Sequence, residues 1–291
     1  MNFTFVIVSF KSSHLIENHI ESIENKNQII IIENSLDRNL KEKLERLYKN
    51  VEVIIPETNL GYGKGLNLGI QKSKNNFVIC MVADLNIEKK CFIEIGKIVL
   101  EFKNFSILSP TYSNEKVYKN YEIFNKKSKK YDDVKVLDYK LREVDEIDGA
   151  ILIINKEKID SPYLMDENIF LYFESTDLCY RLRKNNKKLY IIENLKFEHF
   201  GLKSSHEDFT QQVLECRSWH YCWSKFYYYK KHHNYLFALR KTLPNFFRSI
   251  KMCIYFKFKN DKNKLKLHKS ELSGLLNAYL LKSSFYRPKV N

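Results

Sequence analysis

The sequence predicts an α/β fold in which a mostly parallel sheet is flanked by helices. Over the first 85 residues, strand-like runs of apolar residues alternate with amphipathic, helix-like runs. The strand-like runs are continuously apolar, as is typical of strands covered on both faces. With 44% apolar residues and only 8 glycines and 5 prolines among 291 residues, the chain has the composition of a globular protein with a sizeable core.

The first part of the chain is a series of predicted strand–helix units. β-Branched and aromatic residues, which strands favour, dominate four segments, at residues 3–10, 28–32, 51–55 and 77–82. Leucine and isoleucine recur at helical spacing in two segments between them, at residues 12–23 and 39–48. Ligands of such sheets bind beyond the carboxyl ends of the strands, so the residues at those ends are the first candidates for a site.

Three strand ends carry polar side chains. The first strand ends near Ser9, the second is followed by Glu33, and the fourth by Asp84, with Asn86 two residues further on. A carboxylate in this position can hold a divalent cation against the oxygens of a diphosphate. For Asp84 the alternative is an Asx turn that only closes the strand.

Half of the eight glycines lie within nine residues, between Gly61 and Gly69. Glycines let the backbone approach a ligand closely, and a helix predicted to start near Gly63 offers free N–H groups to a phosphate. Lys64 adds a positive charge. The spacing is neither that of a Walker loop nor that of the dinucleotide-binding fingerprint, and a tight turn is the alternative explanation.

The middle of the chain is less regular. We expect a short strand at residues 106–109, an exposed loop or small hairpin at 114–142 and a strand at 146–155. Gly149 falls inside the last of these, which indicates a close approach of the backbone to a ligand.

Residues 170–199 bring acidic residues and a histidine into one stretch. A predicted helix begins near Glu174, Ser175 and Asp177, a strand follows at 188–192, and His199 comes next. One interpretation is an N-capped helix whose first turn is acidic, followed by a structural histidine. The other is an acid–base group beside a metal ligand.

Taken together, these motifs resemble the family 2 glycosyltransferases, in particular the rhamnosyltransferase-like branch. The resemblance spans nearly the whole chain. The glycine motif N-x-G-[FY]-x-x-x-x-N-x-G corresponds to residues 59–69, the acidic strand-end motif to 82–86, and the G-A-x-x-x-I segment to 149–154. The signature F-L-Y-x-E-D-x-D-L-x-x-R corresponds to residues 170–181, and the later histidine of the branch to His199.

The resemblance implies a GT-A fold, which is Rossmann-like, and a metal-dependent, inverting transfer of a hexose. The donor would be a dTDP- or UDP-sugar (rhamnose or similar), and the acceptor a hydroxyl of a lipid-linked or growing surface polysaccharide. It implies Mg²⁺ or Mn²⁺ on Asp84, Asn86 and His199, where the cation stabilises the leaving nucleoside diphosphate. The nucleotide-sugar-binding residues that it implies are Ser9, Glu33, Asn59, Gly61, Lys64, Asn67, Asp84 and Gly149.

Three residues depart from the family pattern. Glu33 replaces the usual aspartate, Asn86 replaces the second acid of the strand-end motif, and Ser175 stands where the family keeps its catalytic base. Because a serine cannot act as that base at neutral pH, we expect Glu174 or Asp177 to accept the proton, directly or through a water. The alternative is a catalytically weakened or silent binding or scaffold protein of the same fold.

The positive charge of the chain is concentrated near its C-terminus. Residues 217–291 contain 17 lysines and arginines but only two acidic residues, whereas the whole chain has a net charge of +14. We therefore expect two domains, a GT-A catalytic domain at residues 1–210 and a basic, aromatic-rich helical extension at 211–291. Basic helices with aromatic faces are typical of contact with an anionic membrane surface. The alternative is a helical subdomain whose lysines are merely solvated. We do not expect nucleic acid as a partner, because no RNP, KH or helix-turn-helix pattern occurs.

Other features of the sequence favour a cytoplasmic protein that is peripheral on the inner face of the cell membrane. The six cysteines are scattered, without the spacing of a metal site, as in a reducing compartment. The N-terminus lacks the charged segment of a signal peptide, and no run of 18 apolar residues occurs.

Overall fold

The structure is a computed structural model that describes residues 1–113, 119–124, 131–159, 164–199 and 210–288. Its strands are β1 (Thr4–Ser9), β2 (Gln28–Glu33), β3 (Val51–Ile54), β4 (Phe77–Val82), β5 (Leu85–Asn86), β6 (Ile107–Tyr112), β7 (Tyr121–Glu122), β8 (Asp133–Val136), β9 (Tyr139–Glu143), β10 (Glu146–Ile147), β11 (Ile151–Asn155) and β12 (Leu189–His199). Its helices are α1 (Ser13–Ser22), α2 (Arg38–Leu47), α3 (Gly61–Lys72), α4 (Lys89–Glu101), α5 (Glu174–Lys184), α6 (Thr210–His232), α7 (Tyr235–Phe258) and α8 (Lys262–Tyr279), with a 3₁₀ turn at Lys156–Lys158.

The predicted α/β fold is confirmed. The first four strands form a parallel sheet in the order β3-β2-β1-β4. Their apolar side chains are buried, among them Ile7, Ile31, Val53 and Ile79. Parallel register places Ser9 beside Glu33 at the ends of β1 and β2. The polar strand ends therefore meet at one edge of the sheet, as the sequence predicts.

Beyond β4 the sheet is mixed. β11 runs antiparallel to both β4 and β6, and β12 is parallel to β6. The hairpin within residues 114–142 is confirmed, because β8 and β9 pair antiparallel, and β9 also pairs with β12 and so extends the main sheet. The remainder of that prediction, at residues 114–118 and 125–130, lies outside the described residues.

The single strand predicted at residues 146–155 is wrong, because the segment forms two strands. β10 pairs with β7 in a small separate sheet, whereas β11 lies in the main sheet. The break lies at Asp148 and Gly149, where Asp148 Oδ1 accepts a hydrogen bond from the backbone N–H of Ala150 at 3.0 Å. An Asx turn of this kind competes with the strand ladder and ends it.

The glycine cluster is used largely for packing. A Cβ on Gly69 would overlap the side chain of Val6, and one on Gly65 would lie 3.1 Å from Cγ2 of Val8. These two glycines therefore let α3 pack closely on β1. Gly61 begins α3 with a φ of +77°, a conformation that few other residues adopt. The helix thus starts two residues before the predicted point.

The chain divides into two compact units. The first comprises Met1–Asn59, Gly65–Met165 and Ser175–Ser204, and the second Leu60–Lys64, Asp166–Glu174 and Ser205–Asn291. The second unit contains α6, α7 and α8 around a core that includes Trp219, Trp223 and Phe226. Helices are thus present in the predicted C-terminal extension, while the domain boundary at residue 210 stays a prediction. Across the described ranges, no helix is both long enough and apolar enough to cross a membrane.

Candidate functional site

The ends of β1 and β2 place two buried polar groups side by side. Glu33 is buried, and its Oε1 accepts a hydrogen bond from the backbone N–H of Ser35 at 2.7 Å. Burial raises the pKa of Glu33, and the hydroxyls of Ser35 and Ser9 oppose that rise. Glu33 Oε2 and Ser9 Oγ are buried without a well-formed hydrogen bond within the described chain. Buried polar atoms are nearly always bonded, so this pair is suited to receive polar groups of a ligand.

Asp84 and His199 are brought together by the short strand β5. Leu85 pairs with His199, because β5 runs antiparallel to the end of β12. Asp84 Oδ1 consequently lies 3.3 Å from His199 Nε2. Asp84 is only 3% exposed, and its Oδ2 has no hydrogen-bond partner among the residues described. Two of the three residues predicted as metal ligands therefore lie in contact.

A chain of hydrogen bonds orients the ring of His199. Tyr112 donates its hydroxyl proton to Asp148 Oδ2 at 2.6 Å, and its oxygen lies 3.1 Å from His199 Nδ1. Because that proton is committed to Asp148, His199 Nδ1 carries the hydrogen that bonds the tyrosine oxygen. In a neutral imidazole this leaves the lone pair on Nε2, which faces Asp84. Two acceptors face each other there, so a proton or a cation is needed between them.

Asp84 and His199 fit a divalent cation whose remaining ligands come from the phosphates of a substrate and from water. Among the described residues no three histidine, cysteine or acidic side chains cluster as a complete metal site. Mg²⁺ is typically held by one or two carboxylates, with phosphates and water as its other ligands. Asp84 and His199 can supply the protein ligands of such a cation. Asn86 donates its amide to Glu198 Oε2 at 2.9 Å, so it is already engaged on β5.

His19 holds the segment that carries Asp84. The ring lies on the buried face of α1, and its Nε2 is 2.7 Å from the carbonyl oxygen of Ala83. Burial lowers the pKa of His19, which keeps the ring neutral with its hydrogen on Nε2. In the sequence, His19 shares a helical face with Ile16 and Ile20, and this spacing indicates a polar residue that faces the core.

Glu174 begins α5 after a constrained turn. Tyr172 and Phe173 both adopt positive φ, at 65° and 68°, a conformation that costs non-glycine residues free energy and that clusters at functional sites. Glu174 is 6% exposed, and its Oε2 lacks a hydrogen-bond partner in the described ranges. Burial raises the pKa of Glu174 to about 7. The group can therefore gain or lose a proton near neutral pH.

Asp177 is placed differently from Glu174. Its buried carboxylate accepts a hydrogen bond from Arg181 Nε at 2.8 Å, and Arg181 also donates to the carbonyl oxygen of Leu164. An aspartate held in this way positions α5 and its neighbours. Ser175, at the position of the family's base, is buried as well.

The remaining predicted site residues lie in several environments. Asn67 uses both ends of its amide on the backbone of Met165, at 2.9 Å each, and so acts within the fold. The Lys64 ammonium lies 3.6 Å from Glu167 Oε2. Asn59 lies in the half-exposed loop between β3 and α3, and Gly149 in the turn before β11.

The parallel strand order and the acidic strand ends are those of a GT-A protein, the class of α/β folds that binds nucleotide sugars. The sequence profile of Glycosyl transferase family 2 matches residues 4–153, about half of the chain. The chain therefore belongs to this family, and glycosyl transfer from a nucleotide sugar is the activity that the family supports. The rhamnosyltransferase-like branch stays a prediction.

One curated relative is a hexosyltransferase. The low-salt glycan biosynthesis hexosyltransferase Agl10 of Haloferax volcanii is 25% identical over 234 residues, which cover 74% of this chain and 75% of the relative.

Solved structures with low sequence identity share the fold. A mannosyltransferase from Pyrobaculum calidifontis, in complex with GDP-Man and Mn²⁺, superposes with a TM-score of 0.54 at 8% identity, covering 95% of this chain and 86% of its own. S. aureus TarS, residues 1–349, gives 0.52 at 13% identity and 99% and 93% coverage. GalNAc-T7 with UDP, GalNAc and Mn²⁺ gives 0.54 at 13% identity and 84% coverage of this chain, which spans 57% of GalNAc-T7.

The raised pKa of Glu174 predicts a pH-dependent cost in stability. Between about pH 4.5 and 7 the folded state holds a proton that the unfolded state has lost, so the free energy of unfolding falls as the pH rises through that window. Glu174→Gln should therefore be more stable than the native chain at pH 8, by at most about 3 kcal/mol, with little difference at pH 4. Urea denaturation at both pH values measures this. The control Glu101→Gln, at the exposed end of α4, should show no such dependence, and an equal gain in both variants would contradict the assignment.

Proposed function

We propose that this chain transfers a hexose from a dTDP- or UDP-sugar to a hydroxyl of a glycan acceptor, such as a lipid-linked or growing surface polysaccharide. The observation that carries the proposal is the contact between Asp84 and His199 at the strand ends, with one buried carboxylate oxygen left without a partner. The hexosyltransferase relative, which acts in glycan biosynthesis, supports the type of sugar and of acceptor. Rhamnose remains the first donor sugar to test.

Asp84 and His199 would hold Mg²⁺ or Mn²⁺ in this proposal. The structures of GalNAc-T7 and the Pyrobaculum mannosyltransferase, both obtained with Mn²⁺, support a divalent cation. When bound, the cation would neutralise the charge that develops on the departing nucleoside diphosphate. Tyr112 and Asp148 would orient the His199 ring so that Nε2 faces the cation, and His19 keeps the backbone before Asp84 in place. Ser9 and Glu33 would receive polar groups of the nucleoside.

Glu174 would be the base that accepts the proton of the attacking hydroxyl. Its pKa of about 7 means that a substantial fraction is ionised at neutral pH, while its basicity exceeds that of an ordinary carboxylate. A single in-line displacement at the anomeric carbon inverts its configuration. Asp177 is less suited to this role, because its carboxylate is already paired with Arg181.

Removing the tyrosine hydroxyl should weaken metal binding. In Tyr112→Phe the His199 ring loses the partner that fixes its tautomer, and loss of such supporting groups typically costs about 10- to 100-fold in metal affinity. Titration with Mn²⁺ in the presence of UDP, followed by calorimetry, measures the affinity directly. Tyr48→Phe, at the end of α2, is the matched control, and it should bind Mn²⁺ like the native chain. Equal affinities in all three proteins would contradict this role for Tyr112.

Replacing the proposed base should abolish turnover while leaving donor binding intact. We expect Glu174→Gln to lower kcat by about 10²- to 10⁴-fold. In the native chain kcat should rise with pH through about 7, because the carboxylate must be ionised to accept a proton. The assay follows release of the nucleoside diphosphate from the nucleotide sugar that most raises the melting temperature in the presence of Mn²⁺. The exposed Glu101→Gln serves again as control.

Two results would redirect the proposal. Unchanged turnover in Glu174→Gln would exclude Glu174 as the base. If, in addition, Ser175→Asp raised turnover sharply without a change in donor affinity, the native chain would be a weakened transferase limited by Ser175.

One face of α7 would contact an anionic membrane surface. Four large apolar residues on this helix, Leu236, Phe247, Ile254 and Phe258, are between 54% and 86% exposed. At 3.6 residues per turn they fall within roughly 40° of one another around the helix. Arg240 and Lys251, both exposed, lie beside this stripe. An apolar stripe bordered by basic residues suits a helix that lies in the interface of anionic lipid.

Polar substitution of the stripe should release the protein from vesicles. We expect Phe247→Ser combined with Phe258→Ser to weaken binding to phosphatidylglycerol vesicles by at least roughly tenfold, since each buried aromatic side chain contributes about 1.5–3 kcal/mol. Flotation at low salt measures the bound fraction. The matched control combines Leu47→Ser with Leu100→Ser, which are 53% and 52% exposed on α2 and α4. Failure of the native chain to float with the vesicles would contradict the membrane contact.

A further inference from the structure

The segment that follows α8 is bonded to α6. We call residues 282–287 the C-terminal strap. At its start, Trp223 Nε1 donates a hydrogen bond to the carbonyl oxygen of Lys282 at 3.0 Å. Near its end, His220 Nε2 lies 2.7 Å from the carbonyl oxygen of Tyr286. The strap therefore has a defined path along α6, although it is neither a helix nor a strand.

His220 joins the strap to the turn that begins at Phe170. The His220 side chain is 0% exposed, and burial lowers the pKa of His220 to about 3, so the ring is neutral. Its hydrogen lies on Nε2, because the carbonyl oxygen of Tyr286 can only accept a hydrogen bond. The same ring contacts that of Phe170, with centroids 4.5 Å apart. A histidine kept neutral in this way serves as a fixed link between two segments.

Phe170 is held through its ring and through its backbone. The guanidinium of Arg287, at the end of the strap, lies 3.9 Å from the centroid of the Phe170 ring, within the range of a cation–π contact. The carbonyl oxygen of Phe170 accepts a hydrogen bond from the backbone N–H of Tyr62 at 2.9 Å. A Cβ on Gly61 would overlap Phe170, so the backbones meet closely here. Phe170 itself is buried, whereas Arg287 is exposed.

The turn that Phe170 begins ends at the proposed base, Glu174. Two residues within it, Tyr172 and Phe173, adopt positive φ. Such a conformation persists only where the surrounding structure over-determines it. The turn, α6 and the strap all belong to the second compact unit. The strap is therefore one of the supports that hold this turn in its costly conformation.

We propose that the C-terminal strap, acting through His220 and Arg287, positions Glu174 and keeps its carboxyl group away from water. Both are positioning residues, because they act on Glu174 through Phe170. The importance of the strap for catalysis rests on the proposed function, in which Glu174 is the base. Its effect on the burial of Glu174 does not.

Arg287→Gln in the full chain tests the proposal. Replacing an exposed side chain leaves no cavity in the core. Without the guanidinium the turn should loosen and water should reach the Glu174 carboxyl, so the pKa of Glu174 should fall from about 7 towards its ordinary value of 4.5. We expect the midpoint of the kcat–pH profile to move down by about one pH unit and kcat at pH 8 to fall about tenfold. Stabilisation by UDP and Mn²⁺ should stay native. Arg46→Gln, at an exposed position on α2, is the matched control.

A second measurement needs no turnover. In the native chain the free energy of unfolding should fall as the pH rises from about 4.5 to 7, because the folded state holds a proton on Glu174. In Arg287→Gln this fall should be smaller, since the folded-state pKa of Glu174 then lies closer to its unfolded value. Urea denaturation at pH 4 and pH 8 measures the fall. In the Glu174→Gln background, Arg287→Gln should not change the pH dependence any further.

A double-mutant cycle tests whether Arg287 acts through Phe170. Phe170→Leu removes the aromatic face, so adding Arg287→Gln to it should produce no further shift in the kcat–pH midpoint. Three results would overturn the proposal: native pH dependence of both kcat and stability in Arg287→Gln, an equal change in Arg46→Gln, or additive shifts of Arg287→Gln and Phe170→Leu.

Failure of the proposed function gives a different pattern. If no nucleotide sugar is turned over but Arg287→Gln still reduces the pH-dependent fall in stability, the proposed function fails while the role of the strap stands. If the sugar is turned over and Arg287→Gln changes neither pH dependence, the function stands and the role of the strap fails.

Discussion

The candidate active site depends on the pairing of the two-residue strand β5 with the end of β12. This pairing places Leu85 opposite His199 and so brings the histidine against Asp84. Because side chains alternate between the two faces of a strand, a shift of one residue would turn His199 away and present Glu198 instead. Tyr112, at the end of β6, approaches from the parallel neighbour of β12 and fixes the ring from its other nitrogen. The site is thus specified by strand register over a segment too short to be stable by itself.

The sequence predicted the parts of this arrangement that carry a local signal. Strands β1, β2 and β4 are built on continuous apolar runs, so their ends, and with them Ser9, Glu33 and Asp84, could be located. Asp84 and His199 were linked through the family resemblance. The direction of β11 could not be read, because an apolar run is compatible with either orientation. Strand β5 is too short for any period, and Tyr112 and Asp148 reach the histidine only through contacts 87 and 36 residues apart in the chain.

Glu174 and Asp177, one helix turn apart on α5, lie in different electrostatic environments. Asp177 is stabilised by Arg181, whereas Glu174 has no cation beside it and is kept in a form that favours the bound proton. Burying the Glu174 carboxyl costs free energy, and packing of the turn before Glu174 holds the residue in place. Phe173 packs on Tyr228 and Tyr221, and Ser224 donates to the carbonyl oxygen of Leu171 at 2.8 Å. These contacts hold the turn that keeps the Glu174 carboxylate buried.

The double hydrogen bond between Asn67 and the backbone of Met165 joins parts of the chain that are 98 residues apart. Closing so long a loop costs conformational entropy before any contact compensates for it, and we therefore expect this contact to form after the folding transition state. An interaction of this kind contributes little to the rate of folding and mainly slows unfolding. Asn67, one of the two asparagines of the glycine motif, therefore bears on the lifetime of the folded enzyme more than on the speed with which it is made.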